Sequence, residues 1–168
     1  MGLMAEEAKG SIVLAVKEDT EEIMDLYRSQ IGQKFCPWNE NYPGYHEIDY
    51  ELSRDALFVY KEDGKIKAAI SLEKDDDVEA LECWTSELAP GGELARVAVL
   101  PDQQSKGLGR MMMAFALGEL KRRGFKSTHF LVNKHNVKAI RCYASFGFNV
   151  VGQCRMFEQD FLCYEKEL

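Results

Sequence analysis

The sequence predicts a mixed α/β domain in which two βα units follow a β-meander, and three stretches carry that expectation. Residues 56–74, "ALFVYKEDGKIKAAISLEK", are two strand-like runs around a turn in which Gly64 can take positive φ. Residues 96–113, "RVAVLPDQQSKGLGRMMM", pass from an apolar strand through a proline and polar loop into glycines that open a Met-rich run. "KSTHFLV" followed by "HNVKAIRCYASFGF" repeats the strand-to-helix pattern, with Gly147 as the stop.

The remaining elements follow in order. "SIVLAV" at 11–16 is rich in β-branched residues and reads as a strand. Asp19 with Glu22 three residues later has the form of a capping box, ahead of Ile23, Leu26 and Tyr27 at helical spacing. Residues 32–46 hold two prolines, two glycines and several aromatics, and a loop that long in a compact domain is usually functional. A short helix is expected through "EIDYELSRD". The acidic "KDDDVEALE" and the glycines of "APGGE" punctuate an irregular connection before the strand "ELARVAVLP". The helix after the glycine loop should run to about Arg123, where Gly124 suits its end. "NVVGQCRMFEQDFLCYEKEL" reads as two final antiparallel strands.

With 168 residues, 46% of them hydrophobic, the chain can build one sizeable core. No apolar run approaches the roughly 20 residues of a membrane span, and the opening "MGLMAEEAKG" lacks the basic-then-apolar layout of a secretory signal. Gly2 follows the initiator Met, but Glu6 suits a myristoylation signal poorly. Residues 1–10 are expected to form a flexible tail ahead of a single domain over residues 11–168. Cys36, Cys83, Cys142, Cys154 and Cys163 show no CxxC spacing. That argues for buried or half-buried thiols in a reducing, cytoplasmic setting, not for a disulfide scaffold or zinc ribbon. His46, His129 and His135 form no HxxxH or HExxH pattern, so no metal is expected.

The net charge of −7 is unevenly spread. Between Gln104 and Cys142 nine Lys/Arg face one acidic residue, while the rest of the chain holds 12 against 27. A basic third in an acidic protein points to a polyanionic ligand at one site. The chain as a whole is too acidic for general nucleic-acid binding, and Lys121 to Arg123 also suits a merely solvated helix face.

A helix N-terminus leaves about four N–H groups unpaired and carries about half a positive charge. Gly107 and Gly109 would let a phosphate approach that backbone, with Lys106 and Arg110 at the rim. The loop has no GK[ST] and lacks the last glycine of the dinucleotide fingerprint. In the second helix, Asn136, Ala139, Ile140 and Tyr143 stand on one face over two turns. That stripe could follow an extended ligand arm or pack as core; Met111 to Met113 and Phe115 read as core.

Gln104-Ser105-Lys106-Gly107-Leu108-Gly109 matches the Q/R-x-x-G-x-G/A signature of the GNAT superfamily of N-acetyltransferases, and Asn136, Ala139, Tyr143 and Gly147-Phe148 fit a second motif, N-x-x-A-x-x-x-Y-x-x-x-G-F. The chain resembles that family over roughly residues 11–168. The resemblance implies an acyl-CoA N-acyltransferase fold: a mixed, mostly antiparallel central sheet with splayed parallel strands and flanking helices. It implies acetyl-CoA as cofactor, its pyrophosphate on the backbone of Gln104, Ser105, Lys106, Gly107, Leu108, Gly109 and Arg110. Its pantetheine would run along Val97, Ala98 and Val99, beside Asn136, Ala139 and Tyr143. Tyr143 would be the proton donor to the thiolate leaving group. A homodimer is compatible with the resemblance, and nothing in the residues selects an oligomeric state.

Acetyl transfer to an amine needs the free base, although an alkyl amine has a pKa near 10.4. Glu93, near the start of the strand, is the first candidate base; Glu40, Glu73, Glu82 or a water chain are alternatives. Strand alternation puts Glu93 on the face of Ala95, Val97 and Val99 unless a bulge intervenes. The acceptor should lie against the long loop, where Trp38, Tyr42 and Tyr45 offer stacking surface. Acid from Glu40 or Asp75 to Asp77 would favour a cationic acceptor, and small amines, amino acids, peptide N-termini and lysines all stay open. A non-catalytic acyl-CoA-binding module of the same fold, or more remotely a dinucleotide-binding domain, are the competing expectations.

Overall fold

The computed structural model describes residues 10–168, so of the tail expected over residues 1–10 all but Gly10 lies outside the described residues. Gly10, expected in that tail, opens the first strand. Strands β1 (Gly10–Leu14), β2 (Leu57–Glu62), β3 (Lys65–Glu73), β4 (Gly91–Val99), β5 (Ser127–Asn133), β6 (Asn149–Met156) and β7 (Gln159–Glu167) form one sheet in the order β1-β2-β3-β4-β5-β7-β6. Helices α1 (Thr20–Arg28), α2 (Tyr45–Ser53), the one-turn α3 (Asp76–Glu79), α4 (Leu108–Arg122) and α5 (Val137–Ser145) connect them.

The expected element order holds, with α3 as the addition. The acidic run that reads as a solvated connection folds because its first residue caps it: Asp75 Oδ1 accepts from Asp77 N at 2.9 Å and Val78 N at 3.2 Å. The hairpin turn is Asp63-Gly64, both at positive φ (51° and 78°), which matches the twist of two-residue hairpins. The capping box expected at α1 does not form. Asp19 pairs with Lys61 Nζ at 2.8 Å and accepts from Val16 N, while Glu22 accepts from Ile66 N at 2.9 Å. Both carboxylates find partners on or beside the β2–β3 hairpin, so they dock α1 instead of capping it.

The sheet is covered on both faces, and β2 and β3 are accordingly apolar on both sides. Phe58, Ala68, Ile70, Leu72 and Leu94 pack under α4, which contributes Met112, Met113, Ala116 and Leu120; Phe130, Val132 and Phe148 continue this core. Val59, Ile66, Ala69 and Ala98 pack under α1 and α2 with Ile23, Leu26, Tyr27 and Ile48. Burial of each large side chain contributes about 1.5–3 kcal/mol; Met112→Ala would cost about 2–5 kcal/mol by leaving a cavity. The five cysteines are half-buried or buried. Among the described residues no helix is long and apolar enough to cross a membrane.

Two irregularities in β4 position the site. First, among the described residues β4 and β5 are the one parallel pair, and they pair only where Gly91–Glu93 meets Ser127–His129. Beyond that point both strands run on, and β5 takes its partner from β7 on the other side. Second, Ala98 faces Ala69 but Ala95 faces Ser71, so Arg96 and Val97 together oppose Ile70. This is a β-bulge, and Arg96 sits in it at φ 48°. The extra residue reverses the alternation. Leu94, Val97 and Val99 pack on the α4 core, whereas Ala98 packs on the α1/α2 core. Glu93 therefore does not share a face with Val97 and Val99, as simple alternation had it; Glu93 and Ala95 share the α1/α2 face with Ala98.

Candidate active site

The loop after β4 enters α4 through Ser105 at φ 63° and Gly107 at φ 85°. Gly107 is the N-cap, no side chain caps the helix, and a Cβ there would meet nothing within 4 Å. The first-turn N–H groups of Leu108, Gly109 and Arg110 thus have no side-chain partner, and Ser105, Lys106 and Gly107 are exposed around them. Gln104 faces the other way: its Nε2 donates to the Val99 carbonyl at 3.1 Å and to Gln33 Oε1 at 3.2 Å. Arg110 is turned onto α5, donating to Ser145 Oγ at 2.7 Å over the Phe146 ring.

The divergence of β4 from β5 opens a cleft of about 330 Å³. Val97 lines one wall; Leu131 and Asn133 of β5 and Asn136, Ala139 and Tyr143 line the other, and Gln30 and Trp38 close the side toward α1. The strand that leads into the glycine loop and the second motif therefore meet in one cavity, which Gln104 to Arg110 do not themselves line. Leu100 N bonds Lys67 O on the β3 side, so by alternation the polar groups of Val97 and Val99 point into the opening. The Val99 carbonyl there is held by Gln104 and by Gln30 Nε2 at 2.9 Å.

On the far wall, Asn136 caps α5, with Oδ1 accepting from Ala139 N at 3.1 Å. Tyr143 packs its ring edge-on to Phe130, centroids 4.6 Å apart. Burial pushes its hydroxyl up to about 12, so at neutral pH it keeps its proton and can donate it.

Glu93 stands at the last paired position of β4, at the apex of the cleft, and does not line the cavity itself. It belongs to a row of ionisable side chains across neighbouring strands: Glu73, Glu93, His129 and Glu165 face one another in register. The last three are nearly inaccessible, and Glu93 Oε2 and His129 Nε2 have no hydrogen-bond partner among the described residues. Burial, then Glu73 and Asp75, push the Glu93 carboxyl up to about 9, with Arg96 opposing. Burial holds His129 down at about 4 against an upward pull from Glu165. The His129 ring rests on Trp84, centroids 4.5 Å apart, and Glu165 accepts from Thr85 N at 2.9 Å and Thr85 Oγ1 at 2.6 Å.

Of the other expected site residues, Trp38 reaches the cleft but packs edge-on to Tyr27. Tyr42 lies outside the cavity and accepts from Arg96 Nη1 at 3.0 Å, and Tyr45 bonds Glu21 at the start of α1. Glu40 and Glu82 are exposed, and Glu73 is paired with Arg96. Sequence reasoning missed Arg96, His129, Glu165 and Glu51. Alternation along β5 puts Ser127, His129 and Leu131 on one face, but their neighbours across the sheet depend on register.

A cleft opened by two diverging parallel strands, with a bare helix N-terminus at its mouth, defines the fold as that of an acyl-CoA-dependent transferase. The acetyltransferase (GNAT) family model matches residues 7–148, and the chain belongs to that family, whose cofactor is acetyl-CoA. It is 38% identical over 74 residues, 44% of this chain and 50% of the other, to the [ribosomal protein bS18]-alanine N-acetyltransferase of Salmonella typhimurium. It is 24% identical over 162 residues, 86% of this chain and 47% of the other, to the mycothiol acetyltransferase of Corynebacterium urealyticum. The chain spans about half the length of the curated relatives it matches. In fold it is similar to the ribosomal-protein-alanine N-acetyltransferase of Brucella melitensis (TM-score 0.75, 20% identity, 94% of this chain and 99% of that one). It is likewise similar to the PaiA N-acetyltransferase of Thermoplasma acidophilum, solved with coenzyme A (TM-score 0.72, 18% identity, 95% and 99%).

Proposed function

We propose that the protein transfers the acetyl group of acetyl-CoA to a primary amine by direct attack within a ternary complex, and that the amine is the N-terminal α-amine of a peptide or protein chain. The single observation that carries the reading is the cleft in which Val97, Asn136, Ala139 and Tyr143 meet. The bare first turn of α4 fits a pyrophosphate, because its N–H groups lack a cap and nothing crowds Gly107. Ser105, Lys106, Gly107, Leu108, Gly109 and Arg110 would hold it, while Gln104, its N–H on Pro101 O and its side chain on Val99 O, would brace the loop. Val97 and Val99 would flank the pantetheine arm, with Asn136 and Ala139 opposite; Ala98, expected beside them, instead pairs with Ala69 and is buried in the α1/α2 core.

Acetyl-CoA supplies an activated acyl thioester. Tyr143 donates its hydroxyl proton to the departing sulfur, which a neutral phenol can do. N–H groups that β4 leaves unpaired past the apex stabilise the negative charge that develops on the acyl oxygen. Glu93 is protonated at neutral pH while its surroundings are anionic, and an ammonium group beside it favours the carboxylate. The carboxylate then takes the ammonium proton, leaving a neutral amine and a neutral Glu93. An α-amine, with a pKa of about 7.7–8.0, asks less of this base than a lysine does. The alanine N-acetyltransferases among the relatives support that acceptor class.

Melting curves with acetyl-CoA, NAD and ATP test the cofactor, and thiol release with alanine-initiated peptides, lysine peptides and small amines tests the acceptor. A hundredfold excess over Kd should stabilise the fold by about 2.7 kcal/mol. No shift with saturating acetyl-CoA, or a larger one with NAD, overturns the reading. Binding without turnover of any amine would leave a non-catalytic acyl-CoA module.

A further inference from the structure

Arg96 takes no part in the chemistry above, yet its guanidinium makes four hydrogen bonds beside the cleft strand. Its backbone occupies the left-handed region at φ 48°, which a long side chain rarely adopts unless its surroundings hold it there. The side chain is 6% exposed and its guanidinium reaches three other elements. Nε donates to Glu51 Oε1 of α2 at 2.8 Å, and Nη2 donates to the same oxygen and to Glu73 Oε2 at the end of β3. Nη1 donates to Tyr42 Oη at 3.0 Å. Glu51, fully buried, is completed by Ser71 Oγ at 2.7 Å.

The Tyr42 bond differs in kind from the others. Residues 39–44 otherwise satisfy themselves: Asn39 and Tyr42 pair through their backbones, Asn39 Oδ1 accepts from Asn41 N and Tyr42 N, and Gly44 N donates to Glu47. Among the described residues, the Tyr42–Arg96 bond is the hydrogen bond that ties this turn to the sheet. The same arginine forms the bulge that turns Val97 toward the α4 face of the sheet.

We propose that Arg96 is a positioning residue for the transfer: its guanidinium fastens the 39–44 turn to the bulge of β4, so one buried side chain sets both the acceptor-side wall and the cofactor-side strand. The acceptor half of this inference rests on the proposed function, with the acceptor entering past the 39–44 turn that follows Trp38 on the cleft wall; the fastening does not. A lysine could not replace the fork, since one ammonium cannot hold two carboxylates and a phenol in a plane. Arg96 also opposes the push of Glu73 on Glu93, so the clamp and the candidate base share one charge cluster.

The experiment compares wild type with Tyr42→Phe, Arg96→Lys and the double variant. Tyr42→Phe removes one hydroxyl and leaves Arg96 with both carboxylates, so it keeps the fold. Hydrogen–deuterium exchange of the peptide covering 39–44 reads the fastening without any substrate. Exchange should quicken roughly three- to tenfold in both single variants, the range of one partly exposed hydrogen bond to a charged group. With a responsive amine, acceptor KM should rise by a similar factor, more than kcat falls, while acetyl-CoA affinity stays within about twofold. The double variant should be no worse in KM than the poorer single variant, because the two side chains act through one contact. Unchanged exchange in folded variants overturns the clamp. Quicker exchange with unaltered KM reduces it to a structural tie and overturns the positioning role, as do multiplied effects in the double variant, which would mean that Tyr42 meets the acceptor on its own account. A wild type that turns over no amine would sink the proposed function while the exchange measurement still decides the fastening.

Discussion

Helix α4 begins on Gly107 with no side chain over its first N–H groups, whereas α5 begins on Asn136, whose Oδ1 already accepts from Ala139 N. The two helices follow the two strands that diverge, and both face the same opening. One unit leaves its first backbone N–H groups uncapped; the other has spent its N-terminus on itself and brings side chains to the cleft, Tyr143 among them. Under the proposed function, one glycine loop and one stripe of side chains, of no resemblance to each other, would serve different parts of a single extended ligand. A helix start left bare costs stability, and it persists where a ligand supplies the missing partner.

The sharpest way to break this division of labour is on the side-chain half. Tyr143→Phe should lower the single-turnover rate by about 10²–10⁴-fold, the usual worth of a positioned general acid, with acetyl-CoA affinity nearly intact because the ring stays packed on Phe130. A wild-type rate would return Tyr143 to the core.

Next in size is the backbone half. Gly107→Asp adds a carboxylate where a phosphate is expected, and calorimetry should show coenzyme A affinity down by at least about tenfold from one opposed charge pair. A Cβ has room there, so the fold should lose only about 1–2 kcal/mol for the positive φ. Unchanged affinity in a folded variant would move the phosphates elsewhere.

Glu93, where the two units last touch, tests the apex. Its carboxyl is raised from an ordinary 4.5 to about 9, so its contribution to stability is complete below about 4.5 and is lost as pH rises through about 9. Glu93→Gln should therefore gain on wild type in melting temperature as pH goes from 5 to 9, and should lose the acidic limb of kcat/KM while recovering activity at high pH. His129 runs oppositely: held at about 4 from an ordinary 6.5, it contributes fully above 6.5 and its share is lost as pH falls through about 4. Superimposed melting profiles and superimposed rate profiles would together remove Glu93 from both accounts.

The smallest effect belongs to the capped helix. Asn136→Ala should cost about 1 kcal/mol of stability, the worth of an N-cap, and weaken coenzyme A only a few-fold in calorimetry. A loss of affinity as large as that of Gly107→Asp would show that Asn136 serves the ligand more than its own helix.

Much of this was legible before any fold was seen. The hairpin turn at Asp63-Gly64, the glycine entry to α4 and the stripe Asn136, Ala139, Tyr143 depend on residues within a few positions of one another. What failed were inferences across distance. Asp19 and Glu22 have the spacing of a capping box, but Lys61 and Ile66 lie about 40 residues away and compete for them successfully. Alternation predicted the face of Glu93 relative to Val97 correctly only for an unbroken strand, and Arg96 breaks it.

The sequence by itself determined which segments became strands and helices and where glycine had to stand, because periodicity, turn chemistry and positive φ are local demands. The tertiary structure alone decided that Arg96 would sit in a bulge among Glu51, Glu73 and Tyr42, and that Glu93, His129 and Glu165 would share one row. Register and buried ion pairs are set by neighbours far away in the chain, and their energies exist only once water has been excluded from between them.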